Sequence, residues 1–187
     1  MKLPHKLFCI TLSTLAFSLA ACSDKKPSNT DHQASPTQDT ATAQGNWQAK
    51  ANTLSTANAS DIKSDLTALN QTTNKANSAA LKLRDDAQKA ANDPEKIKHV
   101  LKESNDLQND LQKQIMNLNL KSSEVQNIRT QMIDNLMTSN QLYALSTRPD
   151  FSLDAPSEEF MQLSKRSMAM QQKIGADLDA LNAKYAK

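Results

Sequence analysis

The chain has 187 residues with 22 Lys+Arg against 20 Asp+Glu, 38% hydrophobic side chains, two glycines and two cysteines. So even a charge balance leaves no basic field for nucleic acid and no polybasic contact with a membrane surface. Two cysteines cannot supply a disulfide framework or a four-thiolate metal site.

Residues 1–21 carry Lys2 and Lys6 and then the apolar run LFCITLSTLAFSLAA, which is too short for a membrane span but suits a secretory signal peptide. The run ends in Leu19-Ala20-Ala21-Cys22, an aliphatic residue, two small ones and a cysteine at the border between apolar and polar sequence. These four residues resemble the lipobox of bacterial lipoproteins. The resemblance implies cleavage between Ala21 and Cys22, a diacylglycerol thioether on Cys22, and acyl chains that hold the protein to membrane lipid. Multiple acyl chains anchor essentially permanently, at about 0.8 kcal/mol per buried CH₂. Ser23 follows the cysteine in place of the aspartate that retains enterobacterial lipoproteins at the inner membrane. An outer-membrane anchor facing the periplasm is therefore expected, with Asp24 leaving the inner membrane open and the cell surface also open. Loss of Lys2 and Lys6 leaves 20 basic and 20 acidic side chains, and loss of Cys9 with acylation of Cys22 leaves no free thiol.

From Cys22 to Gly45 the sequence has no Ile, Leu, Val, Met or aromatic residue, so it cannot offset its ordering entropy by burial and reads as a disordered tether. As a flexible coil it reaches roughly 25–30 Å.

Residues 46–187 contain one glycine, Gly175, and no alternating β-branched run, which predicts an all-α domain. In the first helical segment, about Asn46 to Asn92, Ile62, Leu66, Leu69, Thr73, Ala76, Ala80, Leu83, Ala87 and Ala90 recur at spacings of four and three, a coiled-coil seam. Trp47, Ala51 and Leu54 join it out of phase, which a stutter near Asn58 to Ile62 reconciles. Asp93-Pro94-Glu95 marks a second start: a cap, a proline whose missing N–H costs nothing in the first turn, and an acid at the positive helix end. The second segment, about Pro94 to Ser146, carries a stripe through Leu111, Ile115, Val125, Ile128, Met132 and Leu136. A third begins after Asp154-Ala155-Pro156-Ser157 and runs through Phe160, Ile174, Leu178 and Tyr185.

Unbroken, these segments measure about 70, 80 and 45 Å. The expected architecture is an elongated antiparallel helical hairpin with a third helix packed on it, a three-helix bundle. The third helix is expected to start near the tether and run away from the membrane. Weak helix formers in NQTTNKANS or NLNLKSS allow a second arrangement, in which the rods break and fold back into a shorter four- or five-helix bundle.

Residues for chemistry are few. His99 is the sole histidine beyond the tether, and it reads as a partly exposed residue in the first turns of a helix; no metal site and no cofactor are expected. Met161, Met168 and Met170 are thioethers of the kind that bind Cu(I), but at helical spacing they read first as core filler. Asp85-Asp86 and Glu158-Glu159 diverge around helix surfaces. With no phosphate loop, nucleophile elbow or triad-like set, the expectation is a non-enzymatic protein with no small-molecule substrate and no nucleic-acid partner, serving as a spacer or binding an envelope protein. The tail Lys184-Tyr185-Ala186-Lys187 is similar to that of the murein lipoprotein, which ends in a Lys-Tyr-Xaa-Lys pattern. That resemblance implies peptidoglycan attachment through the side-chain amine of Lys187, and it covers only the tail and the lipobox. A partner helix lying in a groove of the hairpin, as for an adaptor or inhibitor, is the other alternative.

Overall fold

The computed structural model describes residues 45–90, 93–152 and 154–185. The signal segment, Cys22, the tether before Gly45 and Lys187 lie outside the described residues. Four α-helices make up the domain: α1 Ala59–Lys89, α2 Pro94–Met116, α3 Ser123–Ser146 and α4 Glu158–Tyr185. A 3₁₀ turn, Ala51–Thr53, precedes them among the described residues, within a strap formed by residues 45–58.

All-helical architecture agrees with the sequence, but the long second rod does not form. It is interrupted at residues 117–122, giving four helices that run up, down, up and down. Asn109 meets Asn140 at 2.8 Å across α2 and α3, Ser167 meets Asn135 at 2.9 Å across α3 and α4, and Asn70 meets Asn182 at 3.2 Å across α1 and α4. At 1.5 Å per residue α1, the longest, spans about 46 Å.

Asn117, Asn119, Ser122 and Ser123 give the interrupted segment weak helix propensity. What decides the break is where its backbone groups go. The Leu120 N–H donates to Asn46 Oδ1 at 2.9 Å, and the Asn46 amide donates back to the Leu120 carbonyl at 2.6 Å. Asp65 Oδ2 accepts from the backbone N–H of Lys121 and Ser122 at 2.8 and 2.7 Å. Tertiary partners thus replace the helical ladder, and exchanging one set of satisfied bonds for another carries little penalty.

The other helix ends follow the sequence signals more closely. Asn58 caps α1, its side chain accepting from the N–H groups of Ser60 and Asp61. This cap, after Ala57 at a φ of 57°, starts α1 thirteen residues beyond Asn46, where the first segment was expected to begin. The phase slip near Asn58 is therefore a helix boundary, not a stutter. Asp93 caps α2 by accepting from the Lys96 N–H at 3.2 Å, with Pro94 in the first turn. Ser157 Oγ accepts from the Phe160 N–H at 3.2 Å at the start of α4.

The added reversal also turns the last helix around. Leu181 and Tyr185 pack against the main apolar cluster, which contains Ile62, Leu120 and Val125. So α4 ends at the pole where the strap lies; it does not run away from it, as a three-helix count requires. A smaller cluster of Leu142, Leu145 and Phe160 closes the junction of α3 and α4. At the opposite end Ala87, Ala90 and Val100 are buried, consistent with the close approach of α1 and α2 that small side chains permit.

Candidate functional site

The strap is held by a buried polar clamp. Arg129 is completely buried and Asp65 is 3% exposed; among the described residues they are the only buried charged side chains. Each sits within an apolar stripe, Arg129 beside Val125, Ile128 and Met132 on α3, Asp65 between Ile62 and Leu69 on α1.

The guanidinium of Arg129 is held by neutral oxygens. Its Nε donates to Gln126 Oε1 at 2.7 Å, and one terminal nitrogen donates to the carbonyl and the side-chain oxygen of Asn46, both at 2.9 Å. Contacts to the Leu118 carbonyl and a second one to Gln126 complete the set. Burial pushes the Arg129 pKa down to about 10, partly offset by the charge of Asp65. The group stays cationic at neutral pH and is anchored by the fork of donors that only arginine presents.

Gln126 passes the clamp on to the strap: its amide donates to the carbonyls of Trp47 and Ala49 at 2.8 and 3.0 Å. Further along, Ser55 and Ser122 form a parallel bridge, with the Ser55 N–H donating to Lys121 O at 2.8 Å and the Ser123 N–H to Ser55 O at 2.9 Å. The Ala57 N–H then donates to Glu124 Oε1 at 2.7 Å. Burial raises the Glu124 pKa, but the Ala57 N–H, the Ser123 hydroxyl and the Lys184 cation outweigh it and hold the carboxyl below its ordinary value.

Gly45 is packed at the entrance of the strap. A Cβ there would meet the Met116 carbonyl oxygen and the Asn117 backbone well inside 3.0 Å, so only glycine admits this approach. Gly45, a position the sequence assigns to the tether, is thus packed against the end of α2.

Other residues singled out in the sequence do not converge. His99 is exposed on α2, 3.5 Å from Glu103. Met161 and Met168 are exposed on α4, and Met170 on the same helix is half-buried. Asp85 pairs with Arg84 and Asp86 with Lys89. Among the described residues no three His, Cys, Asp or Glu side chains gather as metal ligands. A small cleft between α2 and α3 is lined by Leu101, Ser104, Asn105, Gln108, Leu142 and Tyr143, among others. Sequence reasoning missed Arg129, Asp65 and Asn46. The available signal was a long charged residue and an acid each set inside an apolar stripe, which requires a buried partner.

An all-α domain whose buried charges serve its own architecture is the class these features define. The chain belongs to the family described as Uncharacterised lipoprotein PM1805, whose model matches residues 63–186. It is accordingly a lipoprotein, and lipoproteins of this kind are membrane-anchored components of the cell envelope. Among the described residues no helix is long and apolar enough to cross a membrane. No curated protein and no solved structure matches the chain.

Proposed function

We propose that the protein is a non-enzymatic envelope lipoprotein, anchored through acylated Cys22 on the periplasmic face of the outer membrane, which presents a helical domain to an envelope partner. Membership of a lipoprotein family carries this reading, and Leu19-Ala20-Ala21-Cys22 supplies the acylation site. The buried charges support a binding or spacing role over catalysis. Asp65 and Arg129 are both engaged by contacts inside the domain, to loop 117–122 and to the strap.

Cys22→Ala is expected to move the protein from the membrane to the soluble periplasmic fraction, and the wild-type N-terminal peptide to carry the mass of its acyl chains. A Cys22→Ala protein that stays with the membrane would sink the proposal. Crosslinking in intact envelopes identifies the partner.

Attachment of Lys187 to peptidoglycan is a reading for which α4 lends no geometric support, since that helix returns to the strap pole. Muramidase digestion of purified sacculi decides it: protein joined to muropeptides establishes the link, and complete extraction by hot detergent excludes it.

A further inference from the structure

We propose that the strap pole is itself a lipid-docking face, on which Lys50, Lys121 and Lys184 meet the headgroups of an anionic phospholipid surface and Trp47 and Tyr185 sit at the water boundary. This rests on the lipid-anchor reading, because the anchor is what brings the pole to the bilayer.

Three observations meet at this pole. The first is topological: Gly45, where the tether joins, and Tyr185, near the chain end, lie at the same end of the bundle. Gly45 follows Cys22 by 23 residues in sequence, and the far ends of α1 and α2 stand about one helix length away, so the strap pole is the end of the bundle that the anchor brings nearest the lipid.

The second is a charge asymmetry that overall neutrality hides. The seven ion pairs among the described residues, such as Lys96–Asp93, Lys102–Asp106 and Lys173–Asp177, each join residues of one helix or its cap. Lys50 and Lys121 have no such carboxylate, and both are exposed. Two acids of the pole are engaged by the domain itself: the buried Asp65 accepts from two loop N–H groups and the Ser122 hydroxyl, and the half-exposed Glu124 from the Ala57 N–H and the Ser123 hydroxyl. Asp61 and Asp179 border the pole on α1 and α4. Lys184 feels Glu124 but is exposed, its ammonium 4.9 Å above the Tyr185 ring.

The third is the placement of the aromatics. Trp47 and Tyr185 are half-buried, packed against the main cluster on one side and open on the other. Rings of this kind, with an apolar body and a polar tip, favour a membrane–water boundary. Each lysine near an anionic surface strengthens binding roughly fivefold, about a hundredfold for three. Tethering at about millimolar effective concentration makes an affinity of that order sufficient.

The test uses the mature chain with Cys22→Ser, so that docking is read without acyl chains, and vesicles of phosphatidylethanolamine containing a quarter phosphatidylglycerol. Trp47 is the sole tryptophan and reports contact directly. Its emission is expected to shift to the blue with these vesicles but not with phosphatidylcholine alone, and to revert at about 0.5 M salt, where screening is within a few ångströms. A triple K50E/K121E/K184E variant, with circular dichroism and urea midpoint matching the parent, is expected to bind at least about a hundredfold more weakly. Unchanged emission at low salt, an equal response to phosphatidylcholine, or undiminished binding by the triple variant would each overturn the proposal. Crosslinks from these lysines to an envelope protein together with unchanged emission would do so too. Failure of lipidation is read separately, as an unmodified Cys22 in protein purified from cells.

Discussion

Asp65→Ala tests the clamp most directly. One carboxylate oxygen accepts from the Lys121 N–H at 2.8 Å, the Ser122 N–H at 2.7 Å and the Ser122 hydroxyl at 2.7 Å. Alanine removes all three at once. The hydroxyl can rotate to another acceptor, but the two backbone donors cannot turn away, and each buried unpaired donor costs about 1–3 kcal/mol. Arg129 also loses its supporting charge, and unpairing a buried ion is costly in its own right. The expected loss is about 3–5 kcal/mol out of a total stability of order 5–15 kcal/mol. Urea unfolding followed by far-ultraviolet circular dichroism measures it as a lowered midpoint at constant slope. Asp65→Asn keeps an oxygen acceptor and is expected to lose no more than about half as much. A double-mutant cycle with Arg129→Met is expected to show coupling above about 0.5 kcal/mol. A loss below about 1 kcal/mol for Asp65→Ala would refute the assignment of loop 117–122 to this carboxylate.

Gly45→Ala is expected to cost about 1–3 kcal/mol, the range for forced overpacking, and to speed proteolysis between residues 45 and 58, because the Cβ meets backbone at Met116 and Asn117 that cannot yield cheaply. Ala87→Leu, which puts three extra carbons where α1 is 2% exposed, is expected to lower the urea midpoint, whereas Leu81→Ala at a half-exposed position leaves it nearly unchanged. Stability is expected to fall in acid. The Lys96 backbone N–H holds the Asp93 carboxyl below its ordinary value of 3.8, as the Lys173 ammonium does for Asp177. The unfolded chain therefore binds more protons in the window below that value, so stability rises with pH through it and is lost as pH falls through the folded values. Urea midpoints measured from pH 7 down to about pH 2 check this, and Asp93→Asn should flatten part of the slope.

Most helix faces could be read directly from periodicity. Ile62, Leu66, Leu69, Thr73, Ala76, Ala80 and Ala87 along α1 and Ala90 at its C-cap are buried as the four–three spacing requires, with Leu83 of the same series half-buried, and the Asp93-Pro94 start of α2 is where the capping signals put it. The interruption at 117–122 was an open alternative because local propensity there is nearly neutral. Asp65, 56 residues before Lys121, and Asn46, 74 before Leu120, tip the balance, and periodicity within a short window carries no trace of such distant partners. The extra reversal at 117–122 turns α4 around, so that Leu181 and Tyr185 pack at the strap pole. The clamp was hidden for a related reason. Ser104 and Gln108, buried on α2, likewise occupy places where the stripe calls for apolar residues, since packed polar groups follow partners and not patterns.

The contact between Arg129 and Asn46 spans 83 residues of sequence. A chain delivered across a membrane from its N-terminus presents the strap first, long before its arginine. Asn46, Trp47 and Ser55 must wait, solvated, until α3 emerges, and the loop-closure entropy of that wait is settled only when α1 and α2 have paired and shortened the gap. The segment synthesised earliest in the domain is therefore expected to be among the last to become native, and agents that trap the unlatched strap to act on the nascent protein more than on the finished one.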